Sequence, residues 1–452
     1  MLPTQSLRVR MLKAAKWVVI GTGCMHLLRL GANLIMTRLL APEMFGLMAI
    51  ATTVGVIMIM LSDIGLRQAV IKSPRGDDRI FLDTVWTLEI IRGVVLWAGS
   101  LCVAAIIYLL VHFEYINETS TYGNRMLPPL IAAAGFMSVI IGTASTLNLS
   151  ASRRLDTKLI FVLDVISTLV GICAMLICAW WTRSIWSLIA GSVASTCCGV
   201  ALSHLYMAGP KNRLRLDRAA IAEIVGFGKW VALSSSITVF VVNSDRLILG
   251  ALITPHELGL YSIALSLVGA LSLVIGQLID KVMLPAFSQV ALRNKDDLPA
   301  AYFKMRLYLD PAVLFMSGLL FGIGPLLVSF LYDVRYSQAG NVLSLLALGM
   351  VMDRFYLSQQ VYMIIGRPQY LAPINAIRLA SILCLVPLGF YIDGFYGAVI
   401  AVALRDLPVL PLIFWFNSRH HLNRIKTELY LLLCWPVGYF FAFILNSFSI
   451  SK

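Results

Sequence analysis

Pro42-Glu-Met-Phe-Gly-Leu47 returns as Pro255-His-Glu-Leu-Gly-Leu260, 213 residues further on and without a gap. The register holds on both sides of the hexapeptide. Upstream, Lys16-Trp17-Val18 matches Lys229-Trp230-Val231, and Leu34-Ile35 matches Leu247-Ile248. Downstream, Ile50-Ala51 matches Ile263-Ala264. Positions 16–51 share 11 identities with the second copy. Apolar composition inflates chance identity, but it does not produce a shared frame of Trp, Pro and Gly. Repetition at this distance marks a duplicated architecture. Each copy reads as an apolar helix, a Pro-x-x-apolar-Gly-Leu corner and a returning helix, with Pro and Gly expected to close the turn.

Composition says what solvent surrounds those helices. The chain has 452 residues, 59% hydrophobic and 13% charged. Soluble domains carry about a quarter charged residues, so this chain lacks the polar side chains to coat a water-facing surface. It is expected to be an all-α integral membrane protein of about 12–14 transmembrane helices, since each span takes about 20 apolar residues. Thirteen segments fit: 15–39, 46–70, 85–111, 127–150, 159–181, 185–207, 222–250, 257–284, 304–331, 338–365, 370–391, 395–416 and 428–447. The run from Trp17 to Leu40 follows a basic flank, is too long for the core of a cleaved signal and reads as the first span. The longest outer connection, His112 to Arg125, is too short to fold as a domain.

The net charge of +13 would suggest nucleic acid on a soluble protein. Its placement excludes that partner. With the N-terminus cytoplasmic, roughly 24 of the 36 Lys and Arg fall on the cytoplasmic side, about 6 outside and about 6 within spans, the positive-inside pattern. Lys72-Ser-Pro-Arg75, Arg153-Arg154, Lys211-Asn-Arg213-Leu-Arg215, Arg293-Asn-Lys295 and Arg419-His-His-Leu-Asn-Arg424 are the inner clusters. Arg153-Arg154 and the Lys211–Arg218 cluster are expected to set topology and to meet anionic lipid headgroups. Six spans separate the two copies of the repeat. They therefore have the same orientation, which implies two parallel six-helix lobes at 1–208 and 219–416, with 417–452 as an extra hydrophobic segment.

Leu39-Leu-Ala-Pro-Glu-Met-Phe-Gly-Leu47 resembles the first-hairpin motif of the polysaccharide transporter (Wzx-type flippase) family, within the superfamily of MATE exporters and lipid II flippases. Ser62-Asp63-Ile-Gly-Leu66, Asn243-Ser-Asp-Arg-Leu-Ile-Leu-Gly250, Leu284-Pro-Ala-Phe-Ser288 and Gly366-Arg-Pro-Gln369 resemble later motifs of the same family, in order. The resemblance implies a MATE-like fold in a bacterial inner membrane. It implies an undecaprenyl-diphosphate-linked oligosaccharide as substrate, flipped outward for exopolysaccharide, capsule or O-antigen assembly. A polysaccharide polymerase and export machinery would then be partners. Many members have fourteen spans, against thirteen placed here.

Flipping needs a polar path, because burying an unpaired charge in hydrocarbon is costly. Arg29, Arg92, Arg246, Arg354, Arg378 and Arg405 are the cations in or at the end of spans. Guanidinium forks suit phosphate oxygens. Arg29, Arg246 and Arg378 are expected to line the cleft and bind the diphosphate, with Arg92 and Arg405 as further candidates. Arg29 and Arg378 have no acid within one helical turn. Glu89 and Arg92, three apart, can instead form a structural pair on one helix face. Arg354 and Arg405 can snorkel toward span ends. Of the acids Asp63, Glu89, Asp164, Asp245, Asp280, Asp353 and Asp406, Asp63 and Asp245 are the candidates for coupling transport to H⁺ or Na⁺; polar capping of a helix end is the plainer role for both.

No cofactor is expected. The eight cysteines lie in apolar stretches without metal-ligand spacing and read as packing residues. His26 reads as an internal hydrogen-bonding residue, and Trp180-Trp181 and Trp435 as interfacial belt residues. Asn117-Glu-Thr119 matches a glycosylation sequon that matters only in a eukaryotic secretory pathway. No Walker A, HExxH or GxSxG sequence is present. Two rival functions are a MATE-like small-molecule exporter and a membrane enzyme of polysaccharide assembly. The latter, a polymerase or glycosyltransferase, would need a large outer loop or an acidic interfacial cluster. The exporter of cationic drugs would prefer acids and aromatics to arginines.

Overall fold

The computed structural model describes residues 7–63, 65–153, 157–207 and 212–450, which are almost wholly helical with no strand among them. The helices of the first half are α1 (Leu7–Leu39), α2 (Pro42–Leu61), α3 (Leu66–Lys72), α4 (Arg79–His112), α5 (Leu127–Gly142), α6 (Leu147–Arg153), α7 (Thr157–Thr182), α8 (Trp186–Tyr206) and α9 (Arg218–Leu252). There follow α10 (Pro255–Leu278), α11 (Leu284–Arg293), α12 (Leu298–Leu331), α13 (Ala339–Gly349), α14 (Tyr356–Ile364), α15 (Leu371–Ala403), α16 (Leu410–Arg419), α17 (Ile425–Leu432) and α18 (Cys434–Ile450). Eight described helical runs are long and apolar enough to cross a membrane. One of them, Pro368–Arg419, contains two of the segments expected from the sequence. The first, fourth, seventh and tenth expected segments are helical too but fall outside that set. α5 is only 16 residues long, and the tenth segment is split between α13 and α14.

The repeated corner is built differently from a Pro–Gly turn. Pro42 and Pro255 each open the returning helix at its first turn, where a missing N–H costs nothing. Gly46 and Gly259 lie inside α2 and α10, both buried. The second copy adds a capping box. The Glu257 N–H donates to Thr254 Oγ1 at 3.3 Å and the Thr254 N–H to Glu257 Oε2 at 2.9 Å. The repeat residues 16–18 and 229–231 lie on α1 and α9, with their side chains outside the described set; Ile64, Arg154 and Lys211 are likewise outside it.

The chain forms two compact units, Met1–Asn243 and Ser244–Lys452. The division falls inside α9, which runs unbroken for 35 residues, rather than in the 209–218 connection.

In the first unit α7 packs on α8, α4 on α5, and α1 along α7. Gly171 and Gly191 let α7 and α8 approach closely: a Cβ on either would come within 2.9 Å of the other's carbonyl oxygen. The connection after α8 is pinned to α4. Its N–H groups at Arg213, Arg215 and Asp217 donate to Asp83 Oδ1, Thr87 Oγ1 and Thr84 Oγ1 at 3.0, 2.9 and 3.1 Å. Alternate residues donate because an extended chain turns every second N–H the same way.

In the second unit α12 is central and packs on α13 and α18, so α17 and α18 of the extra hydrophobic segment are fastened into this unit. Among the described residues its apolar helical runs are interrupted at four places. A π turn occupies Ile279–Met283 between α10 and α11. Pro285 lacks the N–H that would answer the Lys281 carbonyl, and just before it the Leu284 N–H reaches back five residues to Ile279 O. A 3₁₀ turn, Met350–Phe355, separates α13 from α14. Within α15 the chain reverses at Asp393-Gly394, where Gly394 takes φ 55°. Finally α15 gives way to α16 through turns at 404–409, at Pro408.

Candidate functional site

Interruptions of a membrane helix leave backbone polar groups unanswered, so they are tolerated where protein or a wet cavity surrounds them. Three of the four breaks in the second unit supply or support the walls of one cavity. It measures about 290 Å³ and is lined by Ser272, Ile275 and Gly276 of α10, Met352 and Asp353 of the 3₁₀ turn, Tyr356 and Gln359 of α14, Arg378 of α15, and Arg405-Asp406. That volume lies near the lower edge of ligand pockets, ~300 Å³, and would hold roughly ten waters.

The charges in it are organised. Arg378 Nε donates to Asp406 Oδ1. Arg405 Nε lies 3.7 Å from the other carboxylate oxygen, Oδ2. Asp406 is thus bridged by two guanidiniums, and all three side chains are only 20–30% exposed. The Arg378 guanidinium also donates to Asn375 Oδ1 at 3.3 Å, one turn back on the same helix. Asp353 takes a different partner: Ser272 donates to it at 2.6 Å. Tyr356 donates to Asp280 in the π turn, at 3.2 and 3.3 Å to its two oxygens. The lining therefore holds two cations and two anions.

The arginines expected from the sequence separate accordingly. Arg378 and Arg405 meet in the cavity. Arg378 is not alone, as its sequence neighbours suggested, because Asp406 reaches it across a chain reversal 28 residues long. Arg405 lines the cavity rather than snorkelling. Arg246 lies nearby on α9 outside the lining; its Nε is buried with no hydrogen-bond partner among the described residues. Its neighbour Asp245 is buried, accepts from Tyr261 Oη, has Oδ1 without a partner among the described residues, and lies within electrostatic reach of Arg405. Arg29 belongs to the other unit. There it is exposed on α1 and faces Asp164 of α7 electrostatically, an acid that no one-turn search could find.

Two other expected residues do local work. Arg92 reaches the last turn of α2: it donates to Ile59 O at 2.8 Å and Ser62 Oγ at 3.0 Å and pairs with Glu89 at 3.4 Å. A cation answering terminal carbonyls is a helix C-cap. Asp63 follows that helix end and accepts the Gly65 N–H at 3.0 Å.

Arg354 does not snorkel either. It is buried beside Asp310, 3.8 Å away, in a sealed cluster with Arg306 and Glu428. Arg306 holds Asp310 at 2.6 Å and Glu428 of α17 at 2.7 Å. The sequence reading missed Arg306, Asp310 and Glu428. The i,i+4 spacing of Arg306 and Asp310 was the available signal, and nothing pointed to Glu428. It also missed Ser272, Tyr356 and Gln359 as cavity residues.

An apolar groove adjoins the ionic cavity. It measures about 330 Å³, is lined by Leu271, Val274, Leu278, Met283, Tyr308 and Met316 among others, and shares Ile275 of α10 with the cavity.

Known proteins match this chain at two levels, in sequence and in fold. Residues 35–338 match the family described as "Polysaccharide biosynthesis protein". The chain is 23% identical over 290 residues to "Lipopolysaccharide biosynthesis protein WzxC" of Escherichia coli (strain K12), covering 63% of this chain and 56% of that protein, so it spans about half that relative's length. Among solved structures, an inward-facing multidrug resistance MATE family transporter of the MOP superfamily superposes with TM-score 0.63 at 15% identity, over 88% of this chain and 94% of that one. The lipid II flippase MurJ, in an inward closed conformation, superposes with TM-score 0.62 at 13% identity, over 96% and 99%. At such identities the superpositions speak for the fold, and it is the MATE-like fold expected above. The chain is a multi-pass α-helical membrane protein of that fold, and it belongs to the polysaccharide biosynthesis protein family.

Proposed function

We propose that this chain is a flippase for a lipid-linked oligosaccharide on an undecaprenyl diphosphate carrier, working in a bacterial inner membrane with its N-terminus cytoplasmic. The observation that carries the reading is the cavity at the helix breaks, where Arg378 of α15 and Arg405 of the turn after it flank one carboxylate among apolar helices. Half-buried guanidiniums offer paired donors to a diphosphate that hydrocarbon would exclude. The adjoining apolar groove suits an amphiphile whose tail stays in a hydrocarbon setting. The family match and the name of the Escherichia coli relative favour a polysaccharide precursor. In this reading Arg246 adds a further cation in the same unit, Arg29 of the first unit is a phosphate-binding candidate in its own right, and polymerase and export proteins are downstream partners. Coupling to H⁺ or Na⁺ is assigned to Asp245, whose buried Oδ1 has no hydrogen-bond partner among the described residues, before Asp63, which caps a turn.

The test is a lipid extract from cells lacking the gene, compared by mass spectrometry with extracts complemented by wild type, Arg378→Ala and Arg378→Lys. The expected result is accumulation of a complete diphosphate-linked repeat unit and loss of one surface polymer, reversed by wild type and not by Arg378→Ala. An unchanged glycolipid profile with an intact surface, in a strain with no second flippase, would sink the reading and favour a small-molecule exporter.

A further inference from the structure

The cavity is electrically balanced before any ligand arrives, and one carboxylate does most of the balancing. Asp406 spends one oxygen on Arg378 and turns the other toward Arg405. Asp353 faces the same space but is held by Ser272, on another helix. The two guanidiniums thus already flank an anion, in the arrangement a phosphate would need.

From this geometry we infer that Asp406 is a built-in stand-in for the substrate's phosphate: a diphosphate loads by displacing it from Arg378 and Arg405, and its return expels the diphosphate. The inference rests on the reading of this cavity as a headgroup site. Three observations support it. A diphosphate added beside an undisplaced Asp406 and Asp353 would gather excess negative charge in a partly buried space, which favours exchange over simple addition. Asp406 sits in turns between α15 and α16, outside a regular helical ladder, so its backbone can shift without unzipping a helix. Its partners remain answered when it leaves, because Arg378 keeps Asn375 and both guanidiniums gain the ligand. Asp406 is in this view a positioning and specificity-determining residue: a neutral or cationic solute has no means of displacing it.

The experiment is thermal stabilisation of the purified full chain in lipid nanodiscs by inorganic pyrophosphate and by farnesyl diphosphate, for wild type, Asp406→Asn and the double variant Asp406→Asn with Arg378→Gln. The expected result is that Asp406→Asn is half-saturated at about tenfold lower ligand than wild type, a typical coupling between competing groups. The double variant should lose that gain. Glycolipid export by Asp406→Asn should fall, since nothing expels the product. Because stabilisation is read as a shift from each protein's own melting point, a less stable Asp406→Asn still reports. If wild type is stabilised and Asp406→Asn needs the same or more ligand, Asp406 merely orders the arginines and the exchange is overturned. If neither ligand stabilises any of the three proteins, the headgroup reading falls and the exchange with it. Farnesyl diphosphate acting more strongly than pyrophosphate supports a lipid-linked diphosphate as the source; the reverse order overturns that source in favour of a free one.

Discussion

The second unit carries two ionic clusters of nearly the same make-up, each with two arginines and two acids, built in opposite ways. In the sealed cluster, Arg306, Asp310, Glu428 and Arg354 are 0–8% exposed. Aromatic rings close over it: the Arg306 guanidinium lies 5.1 Å from the Phe355 ring centre and 5.6 Å from that of Tyr302, and Arg354 lies 4.6 Å from Phe355. The crevice beside it measures about 10 Å³, room for one water at most. In the open cluster, Arg378, Arg405 and Asp406 keep 20–30% exposure and border about 290 Å³ of space. The sealed charges join α12 to the 3₁₀ turn and α17. The open ones, on α15, on the same 3₁₀ turn and in the turns at 404–409, border space. A charge inside an apolar helix is therefore no sign of a binding site by itself. What separates the two roles is whether the pair's free valences point into packing or into a cavity.

The sharpest way to break that contrast is to remove Arg306. Arg306→Met should destabilise the protein by about 3–5 kcal/mol, because Asp310 and Glu428 are left buried and uncompensated. This is measured as thermal denaturation in detergent, with membrane abundance falling in step. Replacing all four members by apolar residues of similar size should restore most of the stability and leave export intact. If that quadruple variant folds but does not export, the sealed cluster has a functional role and the contrast fails.

Arg92→Ala should cost less, about 1.5–3 kcal/mol for the charged hydrogen bonds to the end of α2, with export declining only as far as abundance does. Export lost at full abundance would return Arg92 to the substrate path. The smallest effect on stability is expected for Arg378→Ala. Its pair borders the cavity rather than packing, so its loss should cost about 1 kcal/mol, the upper end for pairs open to water, while Asp406 retains Arg405. The melting point should hardly move, yet export should disappear. A large drop in melting temperature would instead make this pair a second structural clamp.

Much of this molecule was legible from the residues in order. Membrane helices announce themselves through local composition, and all thirteen expected segments lie mainly on helix. The repeat was visible because it preserves spacing along the chain. The Glu89–Arg92 pair was visible because three residues make one helical turn. The chain reversal at Asp393-Gly394 falls between the expected spans 370–391 and 395–416, and Asp and Gly tolerate the backbone of a tight corner. The corner of the repeat was read less well. Pro42 and Gly46 belong to one helix, because the same residues serve helix starts and turns alike.

The site was only half legible, for a physical reason. Sequence determined which charges lie in apolar helices. Tertiary structure alone decided which of them meet. Arg378 looked solitary until the fold carried Asp406 to it. Arg354 looked peripheral until the fold buried it beside Asp310. Electrostatic pairing acts over a few ångströms of space, whereas sequence reports distance only within one helical turn. Partners on different helices come together only once packing has chosen the faces.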